Sequence, residues 1–370
     1  MLYTYPDYYD EFKCIADKCE DTCCAGWQIV IDEDTIENYM NYKGEYSSDL
    51  HKGIDYTEGV FKQDKCGRCS FLDENKLCNI HKNMGEDALC DTCKRYPRHI
   101  EEFENIREYN LSISCPEVAK IILKHTDKVN YVEIDRPEEE EEEFEDYDIL
   151  LYSYLEEGRR IIKKMLQHRG VSLIKRMHNV WNFADDMQKC IDDNDIFSNQ
   201  VFELYNNGNV VKCTVVMTNY GYEYSEKIRD MLWKLEMISK DFESQLIEMD
   251  TLLYDIGADN YGRISYEYED WISRHMKELD VYIEQILVYF IYTYMCGAVY
   301  DGCVSSKVRM SIVSAWFVNE MIKTRWIKNG KTLEFEDVVS ATYQYSRQLE
   351  HSDDNLNLME EQVCELKFFL

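Results

Sequence analysis

The cysteines are the feature that most restricts the fold of this 370-residue chain. Ten of its 15 cysteines lie in the first 115 residues, spaced C-x4-C-x3-C-C, then C-x2-C-x8-C-x11-C-x2-C, with Cys115 last. Short steps of this kind let loops bring several sulfurs to one point, as zinc sites and iron–sulfur clusters require. The spacing therefore predicts an irregular, metal-binding N-terminal region whose fold depends on the metal.

The spacing alone leaves the identity of the metal open. Cys66, Cys69, Cys90 and Cys93 form C-x2-C-x20-C-x2-C, which lies at the edge of the spacing of a four-cysteine zinc ribbon. That reading leaves six cysteines of the same region unexplained. A four-iron cluster uses four thiolates, or three when one iron stays open to substrate, so nine or ten thiols suffice for two sites or for one site with supporting cysteines. With so many thiols nearby, we interpret His81 as a surface residue.

Composition and charge limit the partners and the compartment. Apolar residues make up 45% of the chain, which is enough for a substantial core. A formal net charge of −31 argues against nucleic acid and anionic membranes, and it favours a cationic partner such as a lysine-bearing protein. The start of the chain lacks the pattern of a signal peptide, and the most apolar segment, residues 286–295, is too short to cross a bilayer. We therefore expect a cytoplasmic protein with reduced thiols and no membrane partner.

A run of acidic residues, "EEEEEEFEDYD", separates two regions of different character. All four prolines precede it, and the residues that follow have helical periodicity. We predict a cysteine-rich domain at 1–136, an acidic linker at 137–147 and a helical domain at 148–370, with a surface loop inside one body as the alternative to a linker. The expected fold class is mainly α, with minor β structure in the N-terminal domain.

Apolar residues at three- and four-residue steps predict the individual helices. In the C-terminal domain these are 147–166, 225–253 with Ser225 as N-cap, 278–295 as a central core helix, 306–330 ending at Gly330, and a last helix from near Glu334. Residues 206–221 are expected to form a short strand or a buried helix.

Shorter elements are expected in the N-terminal domain, with helices near 32–43 and 116–125 and a strand within 106–114. The cysteines outside this domain lie far apart in mostly apolar surroundings, and we expect them to be buried structural thiols: Cys190, Cys213, Cys296, Cys303 and Cys364.

Four short motifs in the N-terminal half resemble the flagellin lysine-N-methylase family, which lies within a wider group of zinc- or iron-chelating proteins with CxxCxxCC-type motifs. They are C-C-x-G-W at Cys23–Trp27, G-R-C-x-F-L ending at Leu72, L-C-x-T-C-x-x-Y-P-R at Leu89–Arg98, and S-C-P-E at Ser114–Glu117. Together they cover about 100 residues. The helical half has the length and character expected of the family but contributes no motif.

The resemblance implies methyl transfer from S-adenosylmethionine to lysine side chains of flagellin, by a protein with a four-iron, four-sulfur cluster. Zinc is the alternative or additional metal. Cys66 departs from the family pattern, which weakens the zinc-ribbon reading. The implied ligands are carried over as one pool: Cys14, Cys19, Cys23, Cys24, Cys69, Cys78, Cys90, Cys93 and Cys115.

Lysine methylation is a polar displacement that depends mainly on positioning. The radical-type spacing C-x3-C-x2-C and any G-x-G turn are absent, so the methyl donor has to bind unconventionally. Either an open iron chelates the donor, or a purely structural cluster shapes a pocket for it. Arg98 is a candidate for gripping the donor carboxylate, with a salt bridge to a nearby glutamate as the alternative. The sequence identifies no catalytic base.

Two other functions stay open from the sequence. The chain is either a methylase acting on a different protein or a non-enzymatic module that stores or senses iron or zinc. In the second case the helical domain serves to bind a partner.

Overall fold

The computed structural model describes residues 1–137, 144, 146–198, 200–206 and 220–367. Within these ranges helices dominate, and the strands all lie before residue 136, which confirms the predicted fold class. The strands are β1 (Leu2–Pro6), β2 (Ile54–Asp55), β3 (Val60–Phe61), β4 (Arg98–Phe103), β5 (Ile106–Leu111) and β6 (Tyr131–Asp135).

The helices of the N-terminal half are short, and those of the C-terminal half are long and amphipathic or wholly buried. In chain order they are α1 (Glu33–Asn41), α2 (Ser47–Gly53), α3 (Asn79–Met84), α4 (Asp91–Arg95), α5 (Pro116–Lys124), α6 (Ile149–Leu166), α7 (Leu173–Asp192), α8 (Gln200–Asn206), α9 (Tyr220–Leu232), α10 (Lys240–Met249), α11 (Ala258–His275), α12 (Leu279–Tyr294), α13 (Ala298–Asp301), α14 (Val304–Lys328), α15 (Phe335–Glu350) and α16 (Asp353–Cys364).

Four strands form one sheet in the order β4-β5-β1-β6. The first strand, β1, runs parallel to β5 and antiparallel to β6, with Leu2 opposite both Ile106 and Asp135. The helices attach to this sheet through buried polar contacts. Thr4 lies 2.7 Å from the Tyr292 hydroxyl on α12. The sheet therefore belongs to the same packed body as the helices.

Two separate cores stabilise the described residues. The larger contains side chains from both sides of the acidic segment, from Tyr8 on the N-terminal side to Leu366 near the C-terminus. The smaller lies between Ile29 and Cys90 and is built on aromatic and aliphatic side chains such as Phe61 and Phe71. The cysteine-rich region thus has a small core of its own as well as a share in the larger core.

The helical predictions hold in most places. Helix α12 is buried nearly all round, as expected for a central core helix. The helix predicted from Ser225 to residue 253 is wrong in its continuity, because residues 233–239 interrupt it and Ser239 caps α10. Ser225 instead lies inside α9 and is buried. The helix that starts after Glu334 is followed by one more, α16, which Ser352 caps.

The predicted burial of the C-terminal cysteines is only partly correct. Cys296 is buried and Cys190 is half-buried, but Cys303 and Cys364 are exposed at the ends of helices. Cys213, most of the segment 206–221 and most of the acidic segment 137–147 lie outside the described residues. Among the residues that are described, no helix is long and apolar enough to cross a membrane.

Candidate functional site

Five of the nine cysteines predicted as ligands meet at the smaller core. Cys69 and Cys90 lie inside this core, and Cys24, Cys78 and Cys93 pack against it. Burial raises the pKa of the Cys69 thiol to about 12, and the charges of nearby Cys24 and Cys78 add to this effect. We call these residues the five-thiol group: Cys24, Cys69, Cys78, Cys90 and Cys93.

Two glycines bring the separate loops of the five-thiol group together. Gly26 has φ +86° and Gly67 has φ +71°, a left-handed conformation that glycine adopts without steric cost. The Gly26 N–H donates to the Gly67 carbonyl at 3.0 Å, and the Cys69 N–H donates to the Cys24 carbonyl at 2.9 Å. These bonds explain the glycines of the C-C-x-G-W and G-R-C motifs, because they align Cys24 with Cys69.

The other four predicted ligands lie around a short turn and the start of α5. The turn Ala16–Lys18 separates Cys14 from Cys19, and the Ala16 N–H donates to the Cys14 sulfur at 3.4 Å. Cys115 caps α5 and belongs to the larger core. Burial raises its pKa to about 11, and the charge of Cys19 contributes to this shift. We call these residues the four-thiol group: Cys14, Cys19, Cys23 and Cys115.

The adjacent residues Cys23 and Cys24 connect the two groups, because their thiols are hydrogen-bonded to each other. A hydrogen bond between their thiols moves their pKa values apart, upward for Cys23 and downward to about 7 for Cys24. The charges of Cys14 and Cys115 further raise the pKa of Cys23. The Cys24 thiol, in contrast, influences the pKa values of the five-thiol group.

The thiols have the chemistry of metal ligands, but their arrangement does not form a site for a metal ion. Thiolate sulfur is the ligand of iron–sulfur clusters and of structural zinc. Among the described residues, however, no three His, Cys, Asp or Glu side chains already form a group that could hold a metal ion. Cys66 and His81 are exposed and lie outside both groups.

The C-terminal helices reach the four-thiol group through Arg347 on α15. Its guanidinium donates to the Asp21 and Ser114 carbonyls, each at 2.9 Å, and pairs with the Asp21 carboxylate at 2.7 Å. Asp21 lies between Cys19 and Cys23, and Ser114 precedes Cys115. One buried side chain thus fixes two thiol-bearing segments that are far apart in sequence.

His351, directly after α15, makes a second contact with this region. Its Nε2 lies 2.9 Å from the Ser114 hydroxyl, and its ring lies 4.3 Å from that of Trp27, centroid to centroid. Burial and the neighbouring Arg347 lower its pKa to about 3, so its ring is neutral. The Trp27 indole N–H donates to the Cys23 carbonyl at 2.8 Å. The helical region therefore fixes the backbone on both sides of Cys23.

Arg98 does not make the salt bridge considered as its alternative role. Its guanidinium lies 5.5 Å from the centroid of the Phe12 ring. The nearby ion pairs involve its neighbours, since His99 contacts Glu101 at 2.6 Å. Arg98 also does not line the groove described next. Its role in donor binding stays a prediction.

A groove with a volume of about 700 Å³ lies between the sheet and α6. Its floor holds the Glu108 carboxylate, which accepts a 2.5 Å hydrogen bond from Arg159 and a 2.7 Å bond from the Tyr152 hydroxyl. The side chains of Glu108 and Arg159 are only 2% and 8% exposed. Because their charges neutralise each other, the floor is a fixed polar platform and offers no free charge to a ligand.

Aromatic faces and carboxylates line the groove above this floor. Tyr131 and Tyr292 stack with their centroids 4.2 Å apart, and Lys163 Nζ lies 4.5 Å from the Tyr131 ring centroid. Glu156 pairs with Arg160 at 2.6 Å. Burial nevertheless raises the pKa of Glu156. Tyrosine faces and carboxylates attract cations, but Arg160, Lys163 and Lys164 also line the groove, so a positively charged ligand would compete with them.

Four residues of these sites were not predicted from the sequence: Arg347, His351, Glu108 and Arg159. Arg159 alone leaves a signal, because it shares a helix face with Leu155 and Ile162, which marks it as a buried charge. The other three lie in ordinary polar contexts, and their partners are distant in sequence. Spacing rules cannot find contacts of that kind.

Comparison with known proteins places the C-terminal region in a described family. Residues 159–369 match the FliB lysine N-methylase C-terminal domain. This range begins with Arg159 of the groove floor and includes the whole of α15. No solved structure matches the chain.

Two curated relatives match a shorter part of the chain. The Lysine-N-methylase of Salmonella typhimurium is 32% identical over 132 residues, which are 34% of this chain and 33% of that protein. The Flagellar biosynthetic protein FliU of Salmonella muenchen is 33% identical over 132 residues, which are 34% of this chain and 78% of FliU. The chain thus spans about a third of the length of the lysine-N-methylase that it matches.

Proposed function

The chain belongs to the FliB lysine N-methylase family, and on this premise we propose that it transfers methyl groups from S-adenosylmethionine to lysine side chains of flagellin. The match of residues 159–369 carries the methyl-transfer part of this proposal. The flagellar name of the relative FliU supports the acceptor. The net charge of −31 is a further support, because an acidic surface attracts a lysine-bearing partner.

Methyl transfer needs a deprotonated lysine, an aligned donor and a place for the released proton. The lysine nitrogen attacks the methyl carbon in line, the carbon–sulfur bond breaks with its electron pair staying on sulfur, and a base takes the ammonium proton. We assign the groove to this step. The Tyr131 ring would take the positive sulfonium in place of the Lys163 ammonium that now contacts it, and Glu156 would accept the proton. Burial raises the pKa of Glu156, which moves it toward the range of an effective base.

The nine thiols are the pool from which an iron–sulfur cluster would take its ligands, with zinc as the alternative or additional metal. A bound cluster would cross-link the loops that carry the thiols, which this region of short elements needs. The surplus of thiols favours a fully ligated, structural cluster over one with an open iron. The absorption spectrum of the cluster should then stay unchanged when S-adenosylmethionine is added. A shift on addition would favour the open-iron hypothesis.

The central experiment uses the full chain, purified anaerobically, with flagellin and isotopically methyl-labelled S-adenosylmethionine. Mass spectrometry of the digested flagellin is expected to find labelled methyl groups on lysine side chains. Label on other proteins of a cell extract but not on flagellin would change the acceptor. If no protein in the extract gains label, the enzymatic proposal fails and the metal-binding alternative gains support.

Two pairs of variants test the assignment of the groove. Tyr131→Leu should weaken donor binding roughly twofold to thirtyfold, the range of a single cation–π contact, measured by calorimetry. Tyr282→Leu is its matched control, because Tyr282 is half-buried against Phe335 and does not line the groove. Glu156→Gln should lower the methylation rate by about 100-fold or more, while Glu243→Gln on exposed α10 leaves it unchanged. Equal effects within either pair would refute the assignment.

A further inference from the structure

We infer that the acceptor protein binds as an extended, lysine-bearing segment that adds one strand to the sheet along the outer edge of β6. One lysine of this segment would enter the groove between the sheet and α6. This inference rests on the proposed function, and it adds the surface that holds the acceptor and the conformation in which the acceptor binds.

Strand β6 forms an exposed edge of the sheet. It pairs with β1 alone among the described strands, and every residue of β6 after Tyr131 is exposed. The opposite edge, β4, is partly covered, because the Tyr300 hydroxyl of α13 donates to the Glu102 carbonyl at 3.0 Å. An uncovered edge presents unpaired backbone groups, and an extended segment of another protein can pair with them.

The backbone groups of every second residue in β6 point away from β1. Just before β6, the Asn130 carbonyl accepts a 2.9 Å hydrogen bond from the Asp7 N–H. Just after β6, the Arg136 N–H donates to the Met1 carbonyl at 2.9 Å. Successive residues of an antiparallel strand alternate in direction, so the odd-numbered residues between them face outward. These are Tyr131, Glu133 and Asp135. Within the described ranges, no backbone segment other than β1 pairs with this strand.

The groove lies beside this edge. Tyr131 and Glu133 belong to β6 and also line the groove. An added strand would lie about 4.8 Å from β6, and its alternate side chains would point to the same face as these two residues. A lysine at such a position would enter the groove next to Tyr131, the ring assigned to the sulfonium. The remaining side chains would cover Val132 and Ile134, which are each 37% exposed.

The carboxylates on β6 favour a basic segment and disfavour a second copy of the chain. Glu133 and Asp135 are exposed. Glu133 lies 3.8 Å from Arg160, and both side chains are more than half exposed, so this ion pair is weak. Two β6 strands paired about their centre would bring the two Glu133 carboxylates opposite each other, which is destabilising. A segment with lysines opposite these carboxylates would be stabilised instead.

The cations of the groove favour the reactive form of the incoming lysine. Arg160, Lys163 and Lys164 line the groove, and nearby positive charges lower the pKa of a lysine. Methyl transfer requires the neutral amine. The exposed carboxylates would thus attract the segment to the edge, whereas the groove would promote deprotonation of the one lysine that enters it.

A peptide scan is the first test. Lysine-bearing peptides that together cover the flagellin sequence are titrated against the full chain by calorimetry. The peptide that binds most tightly is then resynthesised with one backbone N-methyl group at each position in turn. We expect affinity to fall roughly twofold to tenfold at alternate positions, because only every second N–H of the peptide would donate to β6. A flat profile, or no peptide that binds, would overturn the inference.

Two variants at one position test the edge itself. Glu133→Pro removes the carboxylate and the outward N–H, whereas Glu133→Ala removes only the carboxylate and is the matched control. Proline is tolerated in an edge strand where its nitrogen faces away from the neighbouring strand. The proline variant should bind the same peptide roughly twofold to tenfold more weakly than the alanine variant. Equal affinities of the two folded variants would refute the added strand. If the proline variant does not fold, the alternation in the peptide scan decides.

These results separate the inference from the proposed function. Methylated flagellin together with a flat profile keeps the function and refutes the added strand. An alternating profile without methylation of flagellin refutes the function as proposed and keeps β6 as a peptide-binding edge. An alternating profile with methylation of a lysine inside the bound peptide supports both.

Discussion

The buried pair of Glu108 and Arg159 offers the sharpest test of how the groove is built. Arg159→Met removes the guanidinium and leaves a carboxylate that is 2% exposed with only the Tyr152 hydroxyl as a partner. Breaking a buried ion pair from one side costs about 3–5 kcal/mol, because the remaining charge is neither hydrated nor paired. We expect a loss of that size in the free energy of unfolding.

Removing both charges should cost much less than the sum of the two single changes. Glu108→Gln keeps an acceptor for Tyr152 but leaves the Arg159 guanidinium buried, so this change alone is also destabilising. The double variant carries neither charge, so no unpaired charge stays buried. The cost then falls to a few lost hydrogen bonds, at about 1 kcal/mol each.

The free energy of unfolding is measured in urea, by tryptophan fluorescence and circular dichroism, for the wild type, the two single variants and the double variant. Arg160→Met is the matched control, since Arg160 is the next residue on α6, its side chain is 58% exposed, and its ion pairs are worth at most about 1 kcal/mol. If the losses of the two single variants simply add in the double variant, the two charges are not coupled. The groove floor would then not be a fixed ion pair, and the reasoning would fail.

Three further changes test other parts of the fold. Glu284→Gln should cost about 3–5 kcal/mol in urea unfolding, because the fully buried carboxylate neutralises Arg169 and Arg176. A loss below 1 kcal/mol would refute this. Desolvation raises the pKa of Glu350 above its ordinary 4.5, so its contribution to stability is complete below that pH and declines as pH rises through the folded-state pKa. Glu350→Gln should remove that decline from a plot of melting temperature against pH, and an unchanged slope would contradict it. Gly26→Ala forces a left-handed alanine and should cost about 1–2 kcal/mol, measured by thermal unfolding beside Gly262→Ala in helical α11 as control.

Most of the helical half could be predicted because its helices bury one face or all faces. The pattern in α6 and α12 comes directly from the apolar residues that enter the larger core. Periodicity failed between α9 and α10, where apolar residues continue across a turn that only the cap at Ser239 marks. Spacing records which residues are buried, and it does not record where a helix is interrupted between them.

The cysteine spacing identified the thiols but could not sort them. Cys66 lies only three residues before Cys69, yet it is exposed while Cys69 is buried. Cys23 and Cys24 are adjacent, yet Cys24 packs against the smaller core and Cys23 does not. Sequence distance sets how far apart two residues can be, whereas the direction of a side chain depends on the local backbone and on the core behind it. Sorting the thiols therefore required the positions of the two cores.

Arg347 links the stability of the thiol region to the helical region. Its partners Asp21 and Ser114 precede it by more than 200 residues, so the four-thiol group takes its shape only when α15 is packed. The five-thiol group needs no such contact, because its loops close on their own core. Loss of the packing of α15 is therefore expected to disturb the segments around Asp21 and Ser114 more than the loops at Gly26 and Gly67.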